Sequence, residues 1–493
     1  MKIFILVNFL VVCFGYLYKN ERPDVTAAEQ TLSWNLTDII RPDFVGTNAV
    51  RHGFDYMEES TYRGMTDELR QIGYDRLKAS RVNIVRTWSG SDWVMPNGWG
   101  SPLNFSTDRF QQFARWIGDM QQLNISVQLN AGWWFPQNAC SPAQNPPCLP
   151  TAADVSIYTS WISNLIHELV VQRNFDNVNS LLLFTEPNGQ GQGNTSYNSI
   201  VRDLHNRMIA DGTRKYVSFQ GPNYGGINNP DVLDKLKVNV QELSDVLDIF
   251  SSHTYNLPDY TSWYDLYSST TALTTKPYYV DEGGFAQESV RNQSDYGTYL
   301  AVWQAALMNA GAASSFVWIW SDQYYVYPLQ NQTNADSFYN GLQRWGLSFW
   351  PAYSTDVRPG FYSQSILTRF LRPPQGAETV STTRVNGGLA GGVWAAAVIG
   401  LTTTRPDYHA ILLVNEGQTQ VNVTVDIVDG NTSPDSLPSL QRYAYDPANP
   451  PDDMGSMVLA SGSVPVGTSV LVDSIPPRGV VVWASPWEEP GFN

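Results

Sequence analysis

From about Phe44 to Phe370, short apolar runs alternate with stretches of helical periodicity. The runs are FVGTNAV (44–50), VNIVRTWS (82–89), ISVQLNAGWW (125–134), SLLLFTEP (180–187), YVSFQGPN (216–223), VLDIFSSHTYN (246–256), PYYVDEGG (277–284) and SSFVWIWSD (314–322). They are nearly continuous in apolar residues, the pattern of strands buried on both faces. Between them lie amphipathic segments such as 108–123, where Phe110, Phe113, Ile117 and Met120 share one face behind the N-cap candidate Thr107, and 158–172. Strands alternating with helices predict parallel βαβ units. Eight of them over roughly 330 residues suit a (β/α)8 barrel. A doubly wound open sheet is the alternative, but GTNAVRHGF after the first strand is not the Gly-rich phosphate loop it would carry.

After the last helical stretch (358–373) the texture changes. GLAGGVWAAAVIG, HAILLVNEG, TQVNVTVDIV, GTSVLVDSI and RGVVVWAS are short β-rich runs separated by turn residues, which predict an antiparallel sandwich. The reading is therefore an α/β chain: a (β/α)8 TIM barrel over 41–373 followed by a β-sandwich over 374–493. Residues 1–15 are expected to form a signal peptide, and 16–40 a polar extension that wraps the barrel. The leader expectation rests on Lys2, the apolar stretch Ile3 to Tyr18 and the small residues around Cys13 and Gly15; an uncleaved anchor is the alternative. The apolar span is short of the ~20 residues a bilayer crossing needs.

Composition adds three constraints. Charged residues make up only 15% of the 493, aromatics reach 13% with 17 Trp, and the net charge is −16. The acidity and the lack of a basic stripe exclude a nucleic-acid partner, which needs clustered Lys and Arg. Trp and Tyr fill cores or form flat platforms with a polar edge, on which sugar rings stack. With Cys13 removed with the leader, Cys140 and Cys148 bracket a Pro-rich loop and are expected to form a disulfide in an oxidising compartment. Sequons at Asn35, Asn104, Asn124, Asn194, Asn292, Asn331, Asn422 and Asn431 agree with a secretory route and a secreted, extracellular protein. The five His are scattered without ligand spacing, so no metal or organic cofactor is implied, and a monomer is expected.

In a (β/α)8 barrel the chemistry sits at the carboxyl ends of the strands. Those ends carry Asn48, Arg86 and Trp88, Asn130 with Trp133 and Trp134, Thr185 and Glu186, Asn223, His253 and Tyr255, Glu282, and Trp318, Trp320 and Asp322. Two glutamates thus end strands four and seven, across the mouth from each other. Two carboxyl groups, one protonated for the leaving group and one ionised to attack the anomeric carbon, are what glycoside hydrolysis requires. The alternative for either glutamate alone is a helix cap or an arginine partner.

This portion, about two thirds of the chain, resembles the (β/α)8 glycoside hydrolases of clan A, most of all family 5, with families 30 and 39 close behind. The residues that carry the resemblance are Gly46-x-Asn48, Arg86, Glu186-Pro187, His253-x-Tyr255, Glu282 and the Trp318/Trp320 pair. It implies a retaining β-glycosidase acting on a polysaccharide or glycoconjugate, with Glu186 as acid/base and Glu282 as nucleophile. Arg86 would hold Glu282 ionised, Tyr255 would donate to it, and His253 would bind substrate or buffer the acid's proton. Trp318 would floor the subsite of the attacked sugar, with Trp88, Trp133 and Trp134 as walls or core. One position departs: these enzymes place Asn before the acid/base, where it contacts the sugar 2-hydroxyl, and here stands Thr185. Either the 2-position of the substrate differs, or Asn130 or Asn223 substitutes, or the chain is a carbohydrate-binding protein that has lost activity. Asp281, beside Glu282, is expected to point away from it by strand alternation.

Overall fold

The computed structural model describes residues 29–486 except 54, 58–63, 132–150, 189–193, 285–287, 325–341, 374–378, 388–391, 401–407, 429–436, 452, 454 and 456. The expected leader, the Cys140/Cys148 pair, Trp133 and Trp134 lie outside the described residues.

Eight parallel strands close into a barrel: β2 (Gly46–Val50), β3 (Ile84–Trp88), β4 (Ser126–Asn130), β5 (Val178–Leu182), β6 (Ser218–Gly225), β7 (Ile249–His253), β8 (Tyr278–Gly283) and β9 (Ser314–Val317). β9 returns to β2 with Gly46 opposite Ser314 and Asn48 opposite Phe316. Most strand positions are buried on both faces, as the unbroken apolar runs require. Five of the helices that wrap the barrel begin where a short polar side chain caps them. α1 (Asp67–Ala79) starts behind Thr66, and α2 (Asp108–Gln122) behind Thr107, whose oxygen accepts from the Phe110 N–H; both Thr66 and Thr107 are in the extended backbone conformation. α2 buries Phe110, Phe113, Ile117 and Met120 as the periodicity predicts. α3 (Ala152–Ile166) begins six residues before the helical stretch read from 158, because Thr151 and Asp154 form a reciprocal capping box. Then follow α4 (Asn194–Ala210), α5 (Pro230–Leu243), α6 (Tyr260–Thr271), α7 (Tyr296–Asn309) and α8 (Gly360–Phe370).

The second domain is one nine-stranded sheet. Its strands are β10 (Val380–Asn386), β11 (Val393–Gly400), β12 (Tyr408–Asn415), β13 (Val421–Val428), β14 (Leu440–Tyr445), β15 (Gly462–Val464), β16 (Val470–Ile475) and β17 (Val480–Ala484), with β1 (Gln30–Phe44) from before the barrel. The order is β15-β14-β17-β12-β11-β10-β1-β13-β16. The sheet folds over on itself: from opposite ends of that order, Arg442 of β14 bonds both Asp473 carboxylate oxygens of β16 at 3.0 Å, and the Trp483 indole of β17 donates to Asp473 at 2.7 Å. Leu32, Trp34, Val393, Ile411, Val423, Leu471 and Trp483 fill the space between the layers.

Two expectations about the sheet need correction, its place in the chain and its strand pairing. The stretch read as an extension wrapping the barrel is, from Gln30 on, an interior strand of this sheet, antiparallel to β10 and parallel to β13, so the sandwich is not wholly C-terminal and not wholly antiparallel. The layers also lie directly on the barrel's outer helices. Trp394 stacks on Tyr260 of α6 at 4.1 Å, the Asn309 amide of α7 donates to the Ala395 carbonyl, and the Tyr408 hydroxyl donates to the carbonyl of Phe370. Covered in this way, α7 is buried along nearly its whole length, which explains why it has no polar face. Among the described residues no helix is long and apolar enough to cross a membrane.

Candidate active site

The strand ends of the barrel bring five charged side chains together. Arg86, at the end of β3, is fully buried; its Nη1 donates to Glu282 Oε1 at 2.7 Å and to the Asp281 carbonyl at 2.9 Å. The Tyr255 hydroxyl donates to the other Glu282 oxygen at 2.5 Å. Glu282 thus has a cation on one oxygen and a phenol on the other, which fixes the plane of its carboxylate. The Arg86 guanidinium also lies 4.6 Å from the Trp88 ring centroid, a cation–π contact that holds it from behind.

Glu186 is reached differently. Its backbone has φ 47°, left-handed and uncommon for a side chain other than Gly, Asn or Asp. Asn223 sustains it: its carbonyl and its side-chain Oδ1 both receive the Glu186 N–H, at 3.2 and 3.1 Å. A conformation costing roughly 1–3 kcal/mol, held by a neighbouring strand, is the kind found where a side chain has to be aimed. Here it turns the carboxyl over His253, whose Nε2 lies 2.8 Å from Glu186 Oε1 and 3.7 Å from Glu282 Oε2. The nearest oxygens of the two glutamates therefore cannot be farther apart than those distances laid end to end, about 6.5 Å.

Gly225 makes room for this. A Cβ there would stand 2.8 Å from Glu186 Cδ and closer still to Oε1. Because the displaced group is the free end of a side chain, Gly225→Ala is expected to leave the melting temperature within a few degrees. It is expected to lower kcat about 10–100-fold by misplacing the carboxyl, given that a displacement of about 1 Å can cost that much. Thermal melting and steady-state kinetics on the same sample check both halves of the expectation.

The electrostatics separate the groups. Burial pushes the His253 imidazole down, but the Glu282 charge and the hydrogen bonds to Asp281 and Glu186 outweigh it and push it up to about 10. Burial pushes the Glu186 carboxyl up; the His253 hydrogen bond and the charges of His253 and Arg86 outweigh that and hold it below the usual carboxylate range. The proton between them thus rests on the imidazole. Glu186 is half exposed at the mouth, with 49% of its side chain accessible, while His253 is fully buried.

The position read as a departure has a definite role in the packing. Thr185 Oγ1 accepts from the Trp88 indole at 2.9 Å and from Asn130 Nδ2 at 2.6 Å, with Arg86 Nη2 at 3.5 Å. Two donors fill its two lone pairs, so one O–H is the only donor it can offer, where an amide offers two. Asn130 gives one of its two N–H groups to Thr185, and the Asn223 oxygen is held by the Glu186 N–H.

Trp88 is walled in, stacked at 4.3 Å on His52 and meeting Trp318 edge-on at 5.7 Å. Trp345 flanks Trp318 at 6.2 Å. The peptide bond between Trp318 and Ile319 is cis. His52 and Trp345 were missed by the sequence reading; the first lies just past the end of β2, where the same rule that found Arg86 applies.

Four expectations are corrected. Asn48 is not brought to the site: its Nδ2 donates to the Gly46 carbonyl and Ser314 Oγ and its Oδ1 receives the Ile84 N–H, so it ties the first, second and eighth strands together inside the wall. Asp322 is held by Arg358 in a buried two-pronged ion pair at 2.9 and 3.1 Å. Trp320 packs on Phe361 of α8. Asp281, expected to point away, reaches the same imidazole as the glutamates, 3.3 Å from its other nitrogen.

No protein-family model matches the chain, and no curated protein is similar to it in sequence. Solved structures are. A family 30 endoxylanase from Clostridium papyrosolvens superposes with a TM-score of 0.65 at 12% identity, covering 93% of this chain and 100% of its own. The catalytic domain of a family 30 xylanase C from Talaromyces cellulolyticus gives 0.66 at 12% identity over 92% and 99%. A family 39 β-xylosidase from Caulobacter crescentus gives 0.57 at 11% identity over 93% and 100%. The fold is that of the clan A (β/α)8 glycoside hydrolases. Families 30 and 39, set beside family 5 by the sequence, are the ones to which these three structures belong. The match spans the accessory sheet as well as the barrel, since more than nine tenths of the chain is covered.

Proposed function

We propose that this protein is a secreted, retaining β-glycoside hydrolase acting on a polysaccharide or glycoconjugate, with Glu186 as acid/base and Glu282 as nucleophile. The observation that carries the reading is the shared imidazole: two glutamates on opposite strands of the mouth, both within reach of His253 Nε2 and so within about 6.5 Å of each other. Retaining enzymes hold their carboxyl groups ~5–5.5 Å apart and inverting ones ~6.5–9.5 Å, to admit a water. The bound set by His253 favours the first geometry. The clan A fold supports the class of reaction, and the leader-like N-terminus with eight sequons supports secretion.

In this mechanism Glu282 Oε2 attacks the anomeric carbon as the glycosidic bond breaks. Its other oxygen stays on Arg86, and Tyr255 holds the attacking one until the sugar arrives. Glu186 delivers a proton to the leaving oxygen. Substrate covers its half-exposed carboxyl, removes water and favours the neutral acid. In the second step Glu186 takes a proton from water, which displaces Glu282 from the sugar, so two inversions give retention. Trp318, flanked by Trp345, offers an aromatic face for the attacked sugar.

The test is the anomer released first. The chain is expressed from residue 20 with disulfides allowed and screened on β-glucans, β-mannans, galactans and xylans. Proton NMR of the first minutes on the polymer cleaved should show the β anomer before mutarotation. An α product would rule out double displacement. Cleavage of none, with binding on a glycan array, would favour the reading in which Thr185 marks a carbohydrate-binding protein.

A further inference from the structure

The imidazole that joins the two glutamates has a third carboxylate behind it. Asp281 is fully buried, and its Oδ1 lies 3.3 Å from His253 Nδ1, on the far side of the ring from Glu186. Its other oxygen is 3.4 Å from the Gln220 amide, a long contact, and the Ser251 hydroxyl also stands beside the carboxylate, so His253 is the one titratable partner bonded to it among the described residues. A buried carboxylate is costly unless it is paired, and Arg86, the nearest guanidinium, is directed at the Asp281 carbonyl and at Glu282 instead.

We propose that Asp281 is a positioning residue that keeps the acid's proton on His253, making Asp281–His253–Glu186 a proton store for the catalytic acid. This rests on the reading of Glu186 as acid/base. A donor and an acceptor contend for Nδ1. The Asn223 amide stands 3.4 Å away, with its oxygen on the Glu186 N–H so that its nitrogen faces the ring, and would have Nδ1 accept. Asp281 requires Nδ1 to carry hydrogen. A charge-assisted bond is roughly twice as strong as a neutral one, so Asp281 prevails and Nδ1–H points to it. A proton on Nε2 then makes the ring cationic and faces Glu186.

The charged groups around the ring are Glu186, Asp281 and Glu282, with Arg86 behind Glu282 and the Tyr255 phenol at its side. Three negative charges against one guanidinium favour the imidazolium. On substrate binding the Nε2–H proton passes to Glu186 Oε1, leaving neutral His253 with Nδ1–H on Asp281. The soft terminal torsion of the glutamate presents the acid to the leaving oxygen. In the second step Glu186 takes a proton from water and passes it back to Nε2, so the count closes over a turnover. The device answers a difficulty in the site: Glu186 is held ionised at rest, yet has to act as an acid.

The test is Asp281→Asn, which keeps the shape and removes the charge. The alkaline limb of the kcat–pH profile, where the stored proton is lost, should move down by ~1–2 pH units, the effect of one opposite charge at that distance, with KM little changed. A purely structural Asp281 would lower the melting temperature or scale kcat at every pH, and an unmoved limb would overturn the proposal. The second measurement needs no turnover: 15N NMR of labelled histidines should find His253 cationic at pH 9 in the native protein and at least half neutral in Asp281→Asn. A neutral His253 in the native protein at pH 9 would overturn the proposal even if the variant failed to fold. Glu186→Gln separates this from the parent reading. If it left hydrolysis intact, Glu186 would not be the acid, while the histidine spectra would still report on Asp281.

Discussion

Glu282→Ala is expected to lower hydrolysis of the substrate polymer by about four orders of magnitude or more, a barrier increase of at least ~5.5 kcal/mol at 1.36 kcal/mol per factor of ten. The loss exceeds that of any neighbour because no described group besides Glu282 stands on Arg86 and Tyr255 together. The variant also leaves the Arg86 guanidinium fully buried with the Asp281 carbonyl, the Thr185 hydroxyl and the Trp88 face beside it but no carboxylate bonded to it, and unpairing a buried charge costs about 3–5 kcal/mol of stability. Lost activity could then be lost folding. Glu282→Gln removes the nucleophile but keeps an oxygen for Arg86, so it should melt close to the native protein and be as inactive. Azide resolves the matter directly. It should restore turnover of an activated aryl glycoside in Glu282→Ala and give the glycosyl azide of configuration opposite to the native product, because one displacement now replaces two. More than a hundredth of native activity in either variant, without azide, would show that another group attacks the sugar.

The barrel and both glutamates were legible in the sequence, for a physical reason. Strands buried on both faces cannot alternate, so their apolar runs stand out, and two carboxylates at the ends of such runs stand out with them. What was not legible depended on contacts between strands. Asn48 fits a motif position, but its amide is turned into the wall because the backbone groups of Gly46 and Ile84 need it. Asp281 sits one residue from Glu282, and alternation sends neighbours to opposite sides. The pairing of β8 with β9 slips between Val280 and Gly283, and His253 stands where both side chains can meet it. The left-handed turn at Glu186 has no signature, since glutamate is not a residue that favours it. Thr185 read as a missing amide; in the structure it is the acceptor on which Trp88 and Asn130 converge, a relation that pairs of residues 97 and 55 positions apart cannot announce.

The strand before the barrel was legible and was overlooked, and it carries the second large expectation. Leu32, Trp34 and Leu36 alternate with polar residues, the signature of a strand with one face buried. A chain beginning at Val45 would keep every residue of the proposed site and is still expected not to fold. β1 joins the two parts of the sheet: β10 pairs with one edge and β13 with the other. Removing it strips the partner from both and detaches β13 and β16 from the remaining strands. The buried side chains lost are Leu32, Trp34, Leu36 and Phe44. At ~1.5–3 kcal/mol each, their transfer to water comes to about 6–12 kcal/mol, against a whole-protein stability of about 5–15 kcal/mol. Phe44 belongs to the barrel's own core, so the damage is not confined to the sheet. A graded version isolates the cause. Trp34→Ala removes one fully buried indole and its 2.8 Å bond to Thr383, and should cost about 3–5 kcal/mol, visible as a fall in the denaturation midpoint with activity retained below it. Circular dichroism melting of chains starting at residues 29 and 45 decides the larger claim. If the shorter chain melted cooperatively within a few degrees of the longer, the sheet would be an appendage. If it did not, and an added peptide of residues 29–44 restored the transition, the sheet is part of what holds the barrel's outer helices, and through them the strands that carry the glutamates.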